Sequence, residues 1–318
     1  MRILWLGWED QHTPARVQAV AVSLGLHVTL AQITDLRFVV DGATGMASVG
    51  VWLDEEEVTR AFDVLIARVF HPYISEALTV ARLFHDAGKV VIDHSLTDEG
   101  VAFSKMHDYL LLAQAGLSVP RTWQLGRLEA VEALAEELGY PLVFKGIHGS
   151  YGAHVHLVRT AEDLRAVWAR YRPGELMLQE YLPAAVDFRV MCVGYQALPM
   201  VVERAPKAGD FRTNAQLGGS AVARPLADFP DLGRLAEQAA RVLRREFAAV
   251  DVRYRGAAPL VLEVNRRPVF ANFERVTGCD VARAFLNYVC HRYEASAPSL
   301  AALSSALLAP TAGGGGSS

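Results

Sequence analysis

In the segment VLEVNRRP, Glu263 and Asn265 close an apolar run with one residue between them. Side chains at i and i+2 of a strand share a face, so both point one way while Val264 points into the core. Asp251, in the neighbouring apolar segment AAVDVRY, adds another oxygen-bearing side chain. Carboxylates plus an amide oxygen form the hard ligand set that Mg²⁺ takes when it also bridges nucleotide phosphates. A solvent-facing strand edge is the plainer alternative, and the apolar flanks of both segments weigh against it.

Lysines precede this set. Lys145 ends the apolar segment YPLVFK, and Lys105 begins the helical pattern that follows GVAFS. Each can set an ammonium against a polyphosphate, and the backbone amides of HGSYGA can close over it as an anion-binding nest. A lysine at a strand end is ordinarily just solvated, so the order of the groups carries the reading. Between the lysines and the oxygen set lies MLQEYLPAAVDFRV, an apolar strand that runs into Gln179, Glu180, Asp187 and Arg189. Packing gives no reason for those polar groups, and something polar is expected to lie along them.

Several elements must carry these residues. RILWLG, HVTLAQ, FDVLIARVF and KVVIDHS read as strands, with helices over PARVQAVAVSLG and ISEALTVARLFHDAG. That βαβ rhythm predicts a small parallel sheet wrapped by helices. SKMHDYLLLAQAG reads as a helix capped by Ser104 and stopped at Gly116. YPLVFKG and HVHLV read as antiparallel strands joined by a Gly-containing loop, and AEDLRAVWARY as a helix capped by Thr160. FRVMCVGYQALPMVVERA predicts strands around a Gly194 turn; a helix over LGRLAEQAARVLRREF, a further strand pair and a closing helix over 279–293 follow. The acidic run at 54–57 reads as a solvated helix start favoured by the macrodipole. Trp5, Trp8, Trp52, Trp123 and Trp168 read as packing residues. The fold class is α/β followed by α+β.

With 31 basic against 35 acidic residues among 318, and 52% apolar, the chain has no charge footprint for nucleic acid or an anionic membrane. Its length suits more than one lobe. Cys192, Cys279 and Cys290 include no Cys-x-x-Cys pair, which argues against a disulfide framework or thiolate zinc and fits a reducing cytoplasm. The N-terminal run ILWLGW is broken by Glu9 and Asp10, short of a secretory core or membrane span. GGGGSS has linker composition and is set aside from fold reasoning.

The order Lys105, Lys145, Gly-containing loop, LMLQEYL, Asp187, Asp251, Glu263, Asn265 resembles the ATP-grasp fold over roughly residues 98–293, and the βαβ segment before it resembles the family's pre-ATP-grasp domain. RAPKAGDFRTNAQLGG is similar to the corresponding stretch of RimK-type ligases and glutathione synthetase. VNRRPVFANFERVTGCDV looks more like LysX-type ligases. The resemblance implies an N-terminal α/β domain over 1–97, a central lobe with a phosphate-covering loop over 98–176, a C-terminal lobe with the metal site over 177–295, and a tail over 296–318.

It also implies an ADP-forming carboxylate–amine ligase that uses ATP and Mg²⁺, with Mn²⁺ as a substitute ion. Gln179, Glu180 and Leu182 would form the adenine hinge, the latter two through their backbone, and Asp187 would meet the ribose. Lys105 and Lys145 would contact phosphates; Asp251, Glu263 and Asn265 would hold the metal. Arg204, Arg212 and Asn214 would face the acyl group, Arg212 through planar bidentate contacts to an anionic intermediate. The implied partners are an amino-acid amine donor and a carboxylate acceptor, whether small molecule, peptide or protein C-terminus, with a homo-oligomeric assembly.

The chain departs from the family where substrate is chosen. RimK-type ligases follow the metal-binding Asn with Ser-Pro-Gly and LysX-type ligases with His-Thr; here Arg266, Arg267 and Pro268 follow Asn265. These arginines can bind an acidic tail or extra carboxylate; a structural ion pair and a solvated arginine are the alternative. An ATP-binding regulatory protein without turnover stands as the rival function. His148, His154 and His156 suggest Zn²⁺, but no carboxylate or Cys completes the set, and a mobile phosphate-covering loop accounts for them.

Overall fold

The computed structural model describes residues 1–296 except 8–11, 42–47, 70–71, 99, 148–153, 184–185, 208 and 214–218. His148, the Gly-containing loop, Trp8, Asn214 and the tail therefore lie outside the described residues. The N-terminal part runs β1 (Arg2–Leu6), α1 (His12–Ser23), β2 (His27–Ala31), β3 (Leu36–Asp41), β4 (Ser48–Leu53), β5 (Glu56–Glu57), α2 (Val58–Ala61), β6 (Val64–Ala67), α3 (Ile74–Asp86) and β7 (Val90–Ile92). The order β2-β1-β6-β7 forms an all-parallel first sheet. Parallel sheets bury both faces, and this one does. Ile3, Trp5, Val64 and Ile66 face a core shared with α1, while Leu4, Leu6 and Leu65 face α3 through Val80, Ala81 and Phe84.

Two local expectations are corrected here. The segment between β2 and β6 holds a small antiparallel sheet β3-β4-β5 that alternation alone did not announce. The acidic run is not helix from its start: Asp54 adopts φ 52°, Glu56–Glu57 pair with β4, and the helix begins only at Val58. Glu57 is its N-cap, accepting from the Arg60 N–H at 3.0 Å.

A second, antiparallel sheet follows, built from α4 (Lys105–Gln114), β8 (Thr122–Trp123), α5 (Leu128–Leu138), β9 (Leu142–Gly146), β10 (Val155–Val158), α6 (Ala161–Trp168) and β11 (Leu176–Glu180), in strand order β10-β9-β11-β8. Leu142, Phe144, Leu176 and Leu178 pack on α5 and α6 in a core of their own. Thr160 caps α6 as expected, accepting from the Asp163 N–H at 3.1 Å. Ser104 occupies the N-cap position of α4, but its side chain makes no capping bond. Because β11 bonds to β9 and β8, sheet membership changes after Glu180, beyond the expected boundary between 176 and 177.

The third sheet contains β12 (Asp187–Val193), β13 (Gln196–Ala205), β14 (Ser220–Pro225), β15 (Phe247–Arg255) and β16 (Ala258–Asn265), with α7 (Pro230–Val242), α8 (Ala271–Thr277) and α9 (Val281–Ser296). Its antiparallel order is β14-β13-β12-β15-β16. One face, with Val190, Cys192, Val250, Val252 and Val264, packs on Leu232, Ala236 and Ala239 of α7. The other face divides along its length. Met191, Val193, Phe247 and Ala249 enter the same core as the first sheet, together with Phe273 of α8 and Phe285 and Val289 of α9. Of the tryptophans described, only Trp5 is fully buried. No described helix is long and apolar enough to cross a membrane.

Candidate active site

On the divided face, β12 reads Asp187, Arg189, Met191, Val193, and β15 reads Phe247, Ala249, Asp251, Arg253. Strand periodicity puts each set on one side. The apolar half of each strand is core, and the polar half is left to line a cavity. Register then aligns the charges: Asp187 opposes Arg204, Arg189 opposes Asp251, and Asp251 opposes Glu263.

The pairing is close. Arg189 donates to both Asp251 oxygens, at 2.8 Å from Nε and 2.8 Å from Nη2. Arg204 Nη2 lies 3.1 Å from Asp251 Oδ1, while its Nε donates to Asp187 Oδ1 at 2.7 Å. Thr213 donates its hydroxyl to the other Asp187 oxygen. Burial alone would raise the Asp251 carboxyl, yet Arg189 and Arg204 outweigh it and hold the group down at about 2. Burial opposes the charge on Arg204 as well, and Asp251 and Asp187 raise its pKa nonetheless. Arg204 is thus a buried clamp between carboxylates as well as a cavity-wall residue.

The residues expected to hold a metal lie on neighbouring strands and line the same cavity. A register shift between Asp251 and Val252 bulges β16 at Leu262, whose carbonyl accepts from the Tyr109 hydroxyl at 2.5 Å. Beside it, Glu263 Oε1 lies 3.4 Å from the Lys105 ammonium. Asn265 Nδ2 points at the Ala249 carbonyl and Asp251 Oδ2, at 3.3 and 3.4 Å. Deprotonated carboxylates and an amide carbonyl on adjacent strands suit a hard cation such as Mg²⁺. The Asp251 oxygens are covered by the Arg189 fork. Among the described residues no group of three or more His, Cys, Asp or Glu side chains converges as a metal site.

Facing this wall is the side of the second sheet that α5 and α6 do not cover. Val143, Lys145, Val155 and Gln179 line it. Burial pushes the Lys145 ammonium down to about 8, and Lys105 and Arg253 push the same way against Glu263 and Asp251. Gln179 Nε2 donates to Thr122 Oγ1 at 2.9 Å. Glu180 gives its backbone N–H to the Arg121 carbonyl at 3.0 Å, and its carboxylate meets Arg121 and Arg255. The Leu182 carbonyl accepts from Arg253 Nη1 at 3.1 Å. The hinge groups are therefore partly engaged within the protein.

Between the walls lies a cavity of about 780 Å³. Lys105, Lys145, Gln179, Glu180, Leu182, Asp187, Arg204, Arg212, Asp251, Glu263, Asn265, Arg266 and Arg267 all line it, so every sequence-derived site residue within the described residues reaches one space. Arg212 grips Asp210, with Nη2 at 2.9 Å from Oδ2, and that bond pulls the Asp210 carboxyl down to about 2. Sequence reasoning assigned no role to Arg189, Arg253 or Thr213. The same i, i+2 spacing that joins Glu263 to Asn265 marks Arg189 from Asp187 and Arg253 from Asp251. His154 and His156 meet the Tyr171 hydroxyl, at 2.9 and 2.7 Å, so a phenol is their common described partner.

Residues 102–289 match the family model of the RimK-like ATP-grasp domain. A ribosomal protein bS6–L-glutamate ligase of Shigella boydii serotype 4 (strain Sb227) is 30% identical over 237 residues, covering 72% of this chain and 76% of its own. Among solved structures, the ATP-grasp ligase PsnB complexed with minimal precursor, Mg and ADP superposes with a TM-score of 0.66 at 18% identity, covering 92% of this chain and 97% of that one. The D-alanine–D-alanine ligase of Bacillus anthracis complexed with ATP superposes with a TM-score of 0.65 at 16% identity, over 93% and 99% of the two chains.

Proposed function

The chain belongs to the RimK-like ATP-grasp family, and from that premise we propose that its cavity binds ATP with Mg²⁺ and joins a carboxylate to an amine, releasing ADP and phosphate. Gln179, Glu180 and Leu182 border the base, and Asp187 borders the ribose with the lone pairs that Arg204 and Thr213 leave open. Lys145, on the second sheet, and Lys105, at the start of α4, neutralise the phosphates. Glu263, Asn265 and Asp251 would hold Mg²⁺, which would supply charge neutralisation at the phosphates. Mn²⁺ is the substitute we expect.

The acceptor carboxylate attacks the γ-phosphorus, ADP departs, and an acyl phosphate remains. The amine then attacks its carbonyl carbon; the tetrahedral oxyanion expels phosphate, and the nitrogen gives up its proton. No protein nucleophile is required. Arg212 offers planar donors to the oxyanion, with Arg204 fixing the wall beside it and Asn214 near it in sequence. Closure of the cavity would keep water from the acyl phosphate.

The contact that supports this reading most is Lys105 to Glu263, 3.4 Å, which sets a phosphate-type cation against a metal-type anion. By analogy with the relatives, whose names give a ribosomal protein with L-glutamate and a precursor as what they act on or are complexed with, we propose an amino acid as amine donor and a small molecule, peptide or protein C-terminus as acceptor. We also propose a homo-oligomer.

The test is ADP release with Mg²⁺ and ATP across pools of amino acids and acidic peptides, with the product mass recorded. We expect a product equal to acid plus amine minus water. Glu263→Gln should lower turnover by roughly 100-fold, the upper end of losses from disturbing a metal's surroundings, with an unchanged circular dichroism spectrum. Full turnover in that variant would remove the metal assignment. Nucleotide binding without turnover in any pool would favour a macromolecular acceptor or a regulatory protein.

A further inference from the structure

Beyond Asn265, where the first sheet abuts the third, Arg68, Arg266 and Arg267 line one end of the cavity. The outer members of this trio fix backbone. Arg68, just after β6, lies over the Trp5 and Phe247 rings at 5.7 and 5.0 Å and donates from Nη2 to the Pro268 carbonyl at 2.9 Å. Arg267 returns the bond, its Nη1 donating to the Arg68 carbonyl at 2.6 Å. A guanidinium from each side thus ties down the chain on the other.

Arg266 is placed differently. Its Nη1 donates to Ser95 Oγ at 2.5 Å and its guanidinium lies 5.0 Å over the Phe103 ring. A guanidinium fork carries more donors than this single bond uses. Among the described residues Arg266 makes no ion-pair contact; two of the acids around it are paired elsewhere, and the buried Asp93 carboxylate has Arg266 as its strongest favourable charge. Asp108 is paired with Arg245 at 2.7 Å, Asp98 with Arg244, and Asp93 accepts from the Phe247 N–H at 3.1 Å.

We propose that Arg266, held in place by Ser95 and Phe103 and flanked by Arg267 and Arg68, forms a subsite for a substrate carboxylate that does not react. This rests on the ligase reading. The reacting groups belong beside Glu263 and Asn265, so an anion at Arg266 is a second group on one of the substrates. A planar fork matches a carboxylate in bidentate fashion. Its source is either a second carboxylate of the acid or the α-carboxylate of the amine donor.

Calorimetry on the full chain saturated with Mg²⁺ and ADP separates these sources. Glutarate is compared with its half-amide glutaramate, and glycine with glycinamide; each pair differs by one carboxylate. We expect at least a ten-fold preference for the carboxylate form in one pair, which identifies the source. Arg266→Gln should abolish the preference while keeping the parent's ADP affinity and circular dichroism spectrum, and Arg266→Lys should restore part of it. Equal binding within both pairs, no binding of any probe, or a preference that survives Arg266→Gln overturns the subsite. So does a loss of ADP affinity in Arg266→Gln, because the arginine would then serve the nucleotide. Failure of the parent chain to bind ADP is a different result, and it would count against the ligase reading itself.

Discussion

Lys145 carries the pH dependence expected of the site. Its folded pKa, about 8, lies below the ordinary lysine value of 10.5. Below about pH 8 the ammonium is charged in both folded and unfolded chains, and the cost of desolvating it is fully present. Between about 8 and 10.5 the unfolded chain binds the extra proton, so this group makes the nucleotide-free protein more stable as pH rises. Nucleotide capture runs the other way, because a neutral amine no longer balances phosphate charge. The prediction is that kcat/KM for ATP falls above about pH 8, as a free-enzyme titration does, and that Lys145→Arg moves the fall out of the accessible range. A flat profile from pH 7 to about 9.5 in the parent would show that Lys145 is not the titrating group. The oxygen set and the lysines were legible from types and spacing. Their counter-ions were not, because Arg189 and Arg204 reach Asp251 across strands whose register no single sequence states.

The turn between β12 and β13 shows what elements require of particular residues. Gly194 and Tyr195 have φ of 58° and 65°, the conformation of a tight hairpin turn that follows strand twist. A Cβ on Gly194 would stand 2.5 Å from ring carbons of Tyr288 on α9. Gly194→Ala should therefore destabilise the fold by about 1–3 kcal/mol through overpacking, read as a lower urea midpoint, with kcat of the folded fraction retained. Most strands and helices were legible because apolar period and glycine stops agreed. The β3-β4-β5 sheet was missed because apolar Phe38 and Val40 face solvent while Val51 is buried, so no apolar-in, polar-out alternation marks it. The allegiance of β11 was misjudged because a strand does not carry the identity of its neighbours.

For the whole molecule, the decisive fact is which cores are shared. Met191 is fully buried among residues of the first sheet, the third sheet and α9. Met191→Ala should cost about 2–5 kcal/mol, and hydrogen exchange should then quicken in β1 and β6 as well as in β12 and β15. Faster exchange confined to the third sheet would show that these sheets unfold separately. The second sheet keeps its own core on α5 and α6. Opening and closing of the cavity should thus be a hinge movement of the second sheet against a rigid body made of the other two, with the absorbing torsions after Glu180, where the chain passes from β11 to β12. On that view Lys145 travels with the moving part while Glu263 and Asn265 stay on the fixed one, so each opening would carry a phosphate-side cation away from the oxygens that share its cavity here.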